Sequence, residues 1–243
     1  MDTEARSTER DRSSEPTGDQ EEGSRSVRLR PGDLLSTGLR RLLAGFVVIA
    51  VVLLLVSHFV MQPFLIPSGS MEPTLRDGDR VLVNKLAYRF GSEPGRGEVV
   101  VFDGSGYFGN SDYIKRVVGV GGDHIVCCDE KGRIEVNGEP VEETYLHPGD
   151  SPSSVPFDVV VPEGTLFLLG DHRSDSSDSR DHLGSPGGGF LPVEQVIGRA
   201  EWVGWPYGRW ADIKTADGLA AVPGGTGSTG SASGAEAPKA RHG

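Results

Sequence analysis

Tyr113-Ile114-Lys115-Arg116-Val117-Val118-Gly119-Val120 is β-branched or aromatic at most positions, the composition of a strand. Stretches of the same character recur on both sides, at 80–86, 97–102, 122–126, 157–161, 165–169 and 198–203. Ile134-Glu135-Val136-Asn137-Gly138-Glu139-Pro140-Val141 predicts a hairpin that turns at Asn137-Gly138. Many short strands punctuated by Gly and Pro predict an all-β domain, mainly antiparallel sheets in a sandwich or barrel-like arrangement.

N-terminal to these strands the pattern changes. Leu42-Leu43-Ala44-Gly45-Phe46-Val47-Val48-Ile49-Ala50-Val51-Val52-Leu53-Leu54-Leu55-Val56, extended by 57–61, reaches the roughly 20 residues that a helix needs to cross a bilayer. His58, near its far end, reads as an interfacial residue. The residues after the run lack a small-x-small site, so an uncleaved anchor is expected rather than a removed leader. Arg25, Arg28, Arg30, Arg40 and Arg41 precede the run and no arginine follows until Arg76, which predicts a cytoplasmic N-terminus. The expected organisation is a disordered cytoplasmic tail over 1–40, an anchor over 41–61, an extracytoplasmic β-rich domain over 62–214 and a flexible tail over 215–243.

The chain has 243 residues and a formal net charge of −11, which speaks against nucleic acid as a partner. Its two cysteines, Cys127 and Cys128, are adjacent. Neighbours on a strand point to opposite faces, so two free thiols is the favoured reading and a vicinal disulfide the alternative. Cysteines and histidines show no metal-ligand spacing, so neither metal nor cofactor is expected.

Just past the apolar run stands Pro67-Ser68-Gly69-Ser70-Met71-Glu72-Pro73-Thr74-Leu75. Pro67 and Pro73 exclude a regular helix, leaving a rigid turn that presents a hydroxyl. A hydroxyl needs a base to become a nucleophile. No histidine is arranged to serve Ser70, and two lysines, Lys85 and Lys115, lie on predicted strands. Desolvation could make either a base near neutrality, and either could equally be a solubilising strand-edge lysine. Periodicity does not choose between them. The strand-end loop Gly170-Asp171-His172-Arg173-Ser174-Asp175-Ser176-Ser177-Asp178-Ser179-Arg180 reads as a solvated acidic turn, a calcium loop without EF-hand spacing, or a scaffold of Asp–Arg pairs.

Taken together, these motifs resemble the bacterial type I signal peptidases, the S26 peptidase family of membrane-bound leader peptidases. The matching residues are 67–75, Asp77-Gly78-Asp79, Val83-Asn84-Lys85-Leu86, 97–102, 113–119 and 170–180, in the family's order, over about 63–205. The resemblance implies a serine endopeptidase with a Ser–Lys dyad, Ser70 as nucleophile and Lys115 as general base. It implies an oxyanion hole from the Ser68 hydroxyl and the Ser70 amide. Ser176 would orient the lysine, Asp178 and Arg180 would brace the loop with Asp171 nearby, and Phe64, Ile66 and Ile114 would line pockets for small side chains. Lys85 falls in a structural motif. The chain departs from the family at His172-Arg173-Ser174-Asp175, where Asn-Arg-Asp-Asn is frequent, and in a longer stretch over 181–190.

The implied substrates are signal peptides of exported preproteins, cut after a small residue of an A-x-A type site. The implied partners are membrane lipid and the protein-export machinery, at the plasma membrane, with one crossing. About nine residues separate the span from Ser70, so at about 3.3–3.6 Å each Ser70 is at most about 30 Å from the bilayer. Two rival readings are a self-cleaving repressor-type protease and an inactive membrane-tethered binding module of the same fold. The first needs a DNA-binding domain and a soluble chain, whereas this chain has an acidic tail and an expected anchor, and the intact Ser70, Lys115 and Ser176 set speaks against the second.

Overall fold

Among the described residues, twelve strands follow one long helix. The computed structural model describes residues 31–224, so the tail expected over 1–30 and the tail beyond 224 lie outside the described residues. Contacts divide the chain into two compact units, Met1–Ile49 and Ala50–Gly243.

The helix, α1, runs over Pro31–Phe59. It therefore begins about ten residues inside the expected tail; proline at the first helical position sacrifices only a donor that has no intrahelical partner there. Within it Thr37–Ser57 is a 21-residue stretch of mean hydropathy 2.5 with none of its window buried. At 1.5 Å per residue such a stretch matches a hydrocarbon core of about 30 Å, and it is a candidate membrane span by length and composition.

The strands are β1 (Met61–Leu65), β2 (Arg80–Asn84), β3 (Val99–Asp103), β4 (Asp112–Val120), β5 (His124–Cys127), β6 (Ile134–Val136), β7 (Glu139–Pro140), β8 (Phe157–Val160), β9 (Thr165–Leu169), β10 (Leu191–Pro192), β11 (Val196–Trp205) and β12 (Ala211–Asp212). The larger sheet has the order β1-β2-β11-β3-β4-β9-β10, with β12 pairing β11, and the smaller has the order β7-β6-β5-β8. Every pairing is antiparallel, as the all-β reading expects. The β6–β7 hairpin turns where expected, Asn137 and Gly138 both taking positive φ (56° and 81°), as a tight hairpin turn demands.

Val99-Val100-Val101-Phe102 is apolar without alternation because β3 is covered on both faces. Val99 and Val101 join one cluster with Ile66, Met71, Leu75, Val81 and Val83, while Val100 and Phe102 join another with Val117, Leu168 and Leu191. A third cluster joins Val118, Phe167 and Leu169 to Ile125, Ile134 and Val136 of the smaller sheet. Met71 and Leu75 are fully buried, and at about 1.5–3 kcal/mol for each such side chain they pin the turn that carries Ser70 to the sheet.

Two expectations change. Residues 215–224 are not a free tail: Ala216 donates its N–H to the Gly97 carbonyl at 3.0 Å, a short helix α2 forms over Asp217–Ala220, and Leu219 and Val222 are buried in a core cluster. Two apolar side chains in a Gly- and Ala-rich segment suffice to dock it. Cys127 and Cys128 are joined as a vicinal disulfide rather than free. The strand β5 ends at Cys127, so the alternation that would send the two side chains apart stops there.

Candidate active site

Ser70 sits in a closed loop between β1 and β2. Ile66 and Asp79 clasp its ends, the Ile66 N–H donating to the Asp79 carbonyl and the Gly78 N–H to the Ile66 carbonyl, both at 2.9 Å. Inside the loop the Glu72 N–H donates to Gly69 O and the Leu75 N–H to Met71 O, each at 2.9 Å. Proline at 67 and 73 together with buried Met71 and Leu75 fixes a non-helical turn, as the sequence predicts.

Lys115 comes from the N-terminal half of β4. There β4 pairs β3 through Val100↔Lys115 and Val101↔Ile114, while β9 reaches only Arg116 to Val120, leaving one edge of 112–115 unpaired. Lys115 Nζ is hydrogen-bonded to Ser70 Oγ at 2.8 Å. The lysine is 3% exposed and the serine 8%. Burial lowers the lysine from its ordinary 10.5 to about 8, although Asp178 and Asp171 pull the other way. Lys85, the other candidate, lines a separate cleft with Tyr88 and Glu194.

Ser68 is exposed, and its hydroxyl lies 3.4 Å from Ser70 Oγ. Phe64, Ile66, Ile114 and Tyr113 line a cavity of about 370 Å³ that also holds Ser68, Ser70, Lys115 and Asp175. It opens between the end of β1, an outer strand of its sheet, and the unpaired edge of β4.

The loop after β9 closes the back of the site. Asp178 accepts from both Arg180 Nε and Nη2 at 2.8 Å, from the Gly170 N–H at 3.1 Å, and from the Ser176 hydroxyl at 2.8 Å. Ser176 thus donates to Asp178, and no hydrogen bond joins it to Lys115 among the described residues. Asp171 is fully buried in a two-pronged pair with Arg116, at 2.8 and 2.7 Å, and takes the Thr74 hydroxyl at 2.5 Å. Burial opposes the Arg116 charge, but the Asp171 hydrogen bonds and charge, together with Tyr145, leave the guanidinium above its ordinary value.

Several contributors carry no signal that sequence reading could have isolated. Arg116 spans β4 to the Gly97 carbonyl at 2.7 Å and stacks on Tyr145 at 4.3 Å. Its one clue is a charge set in an apolar strand beside Lys115. Arg173 holds the Gly170 carbonyl at 2.8 Å and pairs with buried Glu143, which lies 30 residues away. Gly170 itself has no room for a side chain: a Cβ would stand 2.5 Å from the Ser70 carbonyl and inside contact distance of Ser176. His172 donates its N–H to that same carbonyl at 3.1 Å, locking the Ser70 turn to the end of β9.

A family model described as "Signal peptidase, peptidase S26" matches residues 39–205. The protein is similar to Signal peptidase I of Mycobacterium tuberculosis, with 36% identity over 249 aligned residues covering 82% of this chain and 84% of the relative. It is similar to the Probable signal peptidase I of Mycobacterium leprae, 35% identical over 210 residues, 64% of this chain and 72% of that one. Signal peptidase IB of Staphylococcus aureus is 34% identical over 176 residues, 66% of this chain and 86% of its own.

Proposed function

This chain belongs to the signal peptidase, peptidase S26, family, and from that membership we propose that it cuts signal peptides from exported preproteins by a Ser70–Lys115 dyad. It is a serine endopeptidase of the type I signal peptidase kind, and its substrates are preproteins that bear signal peptides. The observation that carries the residue assignment is a buried lysine amine 2.8 Å from a serine hydroxyl. Burial brings that amine to about 8, so a useful fraction is neutral at physiological pH.

Neutral Lys115 takes the Ser70 Oγ proton as Oγ bonds to the scissile carbonyl carbon. The oxyanion is held by the Ser68 hydroxyl and the Ser70 N–H. Collapse breaks the C–N bond, and Lys115 gives its proton to the leaving amine. Water then attacks the ester, Lys115 accepts its proton, and Ser70 Oγ leaves with that proton to regenerate the hydroxyl. Asp178, Arg180, Ser176 and Asp171 hold the loop behind the lysine.

The substrate backbone adds as a strand between β1 and the open edge of β4 at 112–115. Phe64, Ile66 and Ile114 then receive small side chains, which fits an A-x-A type site. Residues 41–61 anchor the chain in the plasma membrane with the N-terminus cytoplasmic, a single crossing, and the domain from 62 onward outside. There it meets lipid, the export machinery and its substrate's apolar segment. Ser70→Ala and Lys115→Ala should each abolish preprotein cleavage in detergent, read by gel shift of the precursor. Near-normal turnover by either variant would remove the dyad.

A further inference from the structure

Beside the Ser70 turn, three side chains from three separate loops converge. Glu72 follows Ser70 by two residues, His147 lies between β7 and β8, and His172 follows β9. One ligating atom of each lies within 4.8 Å of the other two. Two imidazole nitrogens and one carboxylate oxygen are a donor set suited to Zn²⁺, with a position left open. Tetrahedral ligands about 2.0–2.1 Å from the metal stand about 3.4 Å from one another, so modest side-chain rotation closes the remaining gap.

The surroundings of the three fit ligation. His172 Nδ1 is 3.3 Å from the Gly69 carbonyl, an outer contact that fixes Nδ1 as the donor and leaves Nε2 for a metal. The two rings stack at 3.9 Å and 16°, so one ring must turn out of the stack for both nitrogen lone pairs to meet a single ion. Their backbones are tied down, the His147 N–H to Asp171 O at 3.0 Å and the His172 N–H to Ser70 O at 3.1 Å. Among the described residues neither the Glu72 carboxylate nor the His147 ring has a hydrogen-bond partner, and all three residues are only partly exposed.

We propose that Glu72, His147 and His172 form a binding site for a Zn²⁺-class divalent cation that ties the Ser70 turn to the loops at 147 and 172. The cation cross-links three segments that otherwise meet through backbone hydrogen bonds and ring stacking, and so restrains the turn that carries the nucleophile. Hard cations such as Mg²⁺ are poor occupants of a site with two imidazoles.

The test uses the full chain in detergent, purified without a polyhistidine tag and stripped with EDTA. Titration calorimetry with zinc chloride should give one site with a Kd of about 10 µM or tighter, and magnesium chloride should give none. His147→Phe, which keeps a ring on His172, and Glu72→Gln should each weaken binding at least about tenfold, about 1.4 kcal/mol. Zinc should also slow amide exchange over 69–75 in the unaltered chain and not in the variants. Circular dichroism establishes that each variant folds; if His147→Phe does not, the near-isosteric Glu72→Gln carries the comparison. Absence of saturable one-site binding, equal binding of Mg²⁺, or unchanged affinity in a folded variant would overturn the site.

Discussion

A lysine that is 3% exposed is costly to keep charged, and the proposed role of Lys115 as a base rests on that cost. Burial lowers its folded-state value to about 8 against 10.5. Below pH 8 the folded protein bears the full cost of a buried ammonium, and as pH rises from 8 to 10.5 the cost fades because the native group is already neutral. At about 1.4 kcal/mol per pKa unit, the cost at pH 7 is on the order of 3 kcal/mol. Lys115→Met, similar in shape and without charge, should therefore raise stability at pH 7 by about 1–3 kcal/mol while abolishing cleavage. The gain should shrink above pH 8, which thermal melts at pH 7 and pH 10 would measure. Ser70 is legible in the sequence because two prolines bracket it. Its proposed partner is not, since Lys85 and Lys115 both lie in stretches that read as apolar strands; the structure ends β2 at Asn84 and leaves Lys85 in a turn, while Lys115 is buried in β4. Glu72, His147 and His172 stay hidden for the same reason: the chain brings them together from loops about 75 and 25 residues apart.

The strand is the element whose placement converts an ordinary lysine into a buried one. β3 pairs β4 over 112–116 and β9 pairs it only from Arg116 onward, so the residues before Arg116 keep one edge open to the cleft while those after it serve the core. Arg116 and Asp171, both buried, join β4 to the loop after β9; removing one partner of such a pair costs about 3–5 kcal/mol. The tightest joint in this assembly is Gly170, where the Ser70 carbonyl and Ser176 leave no space for a methyl group. Gly170→Ala should lower stability by about 1–3 kcal/mol and reduce kcat more than it raises KM, because it displaces both the Ser70 turn and the loop behind Lys115. Steady-state kinetics with a preprotein substrate, beside a urea melt, would measure the two effects; unchanged kcat would contradict this account of the joint. The strands from Arg80 to Trp205, apart from the two-residue β10, are readable from β-branched runs and turn residues. β1 is not, because Met61 continues the apolar helix and Pro63 argues against a strand. An edge position tolerates proline, since no ladder hydrogen bond is needed on its open side.

At the scale of the whole molecule, the long apolar helix is a candidate membrane span. The large side chains of α1 are exposed, Leu42 to 74% and Phe46 to 71%, an arrangement that water does not favour. The full chain should stay with membranes through alkaline carbonate extraction, and a chain starting at Gln62 should be released; release of the full chain would contradict the anchor. The helix was legible from its unbroken apolar length. The docking of 215–224 was not, because Leu219 and Val222 are isolated in a segment whose composition otherwise reads as linker.

The central claim is that Ser70 is the nucleophile and that neutral Lys115 activates it. Peptide mass mapping after reaction with an acylating inhibitor, repeated across pH 6–10, tests it most directly. The predicted result is one acyl group on the Ser70 peptide, formed at a rate that rises about tenfold per pH unit below about 8 and levels above it, and that is lost in Lys115→Ala. Labelling at another residue, or labelling of Ser70 at the same rate without Lys115, would contradict it.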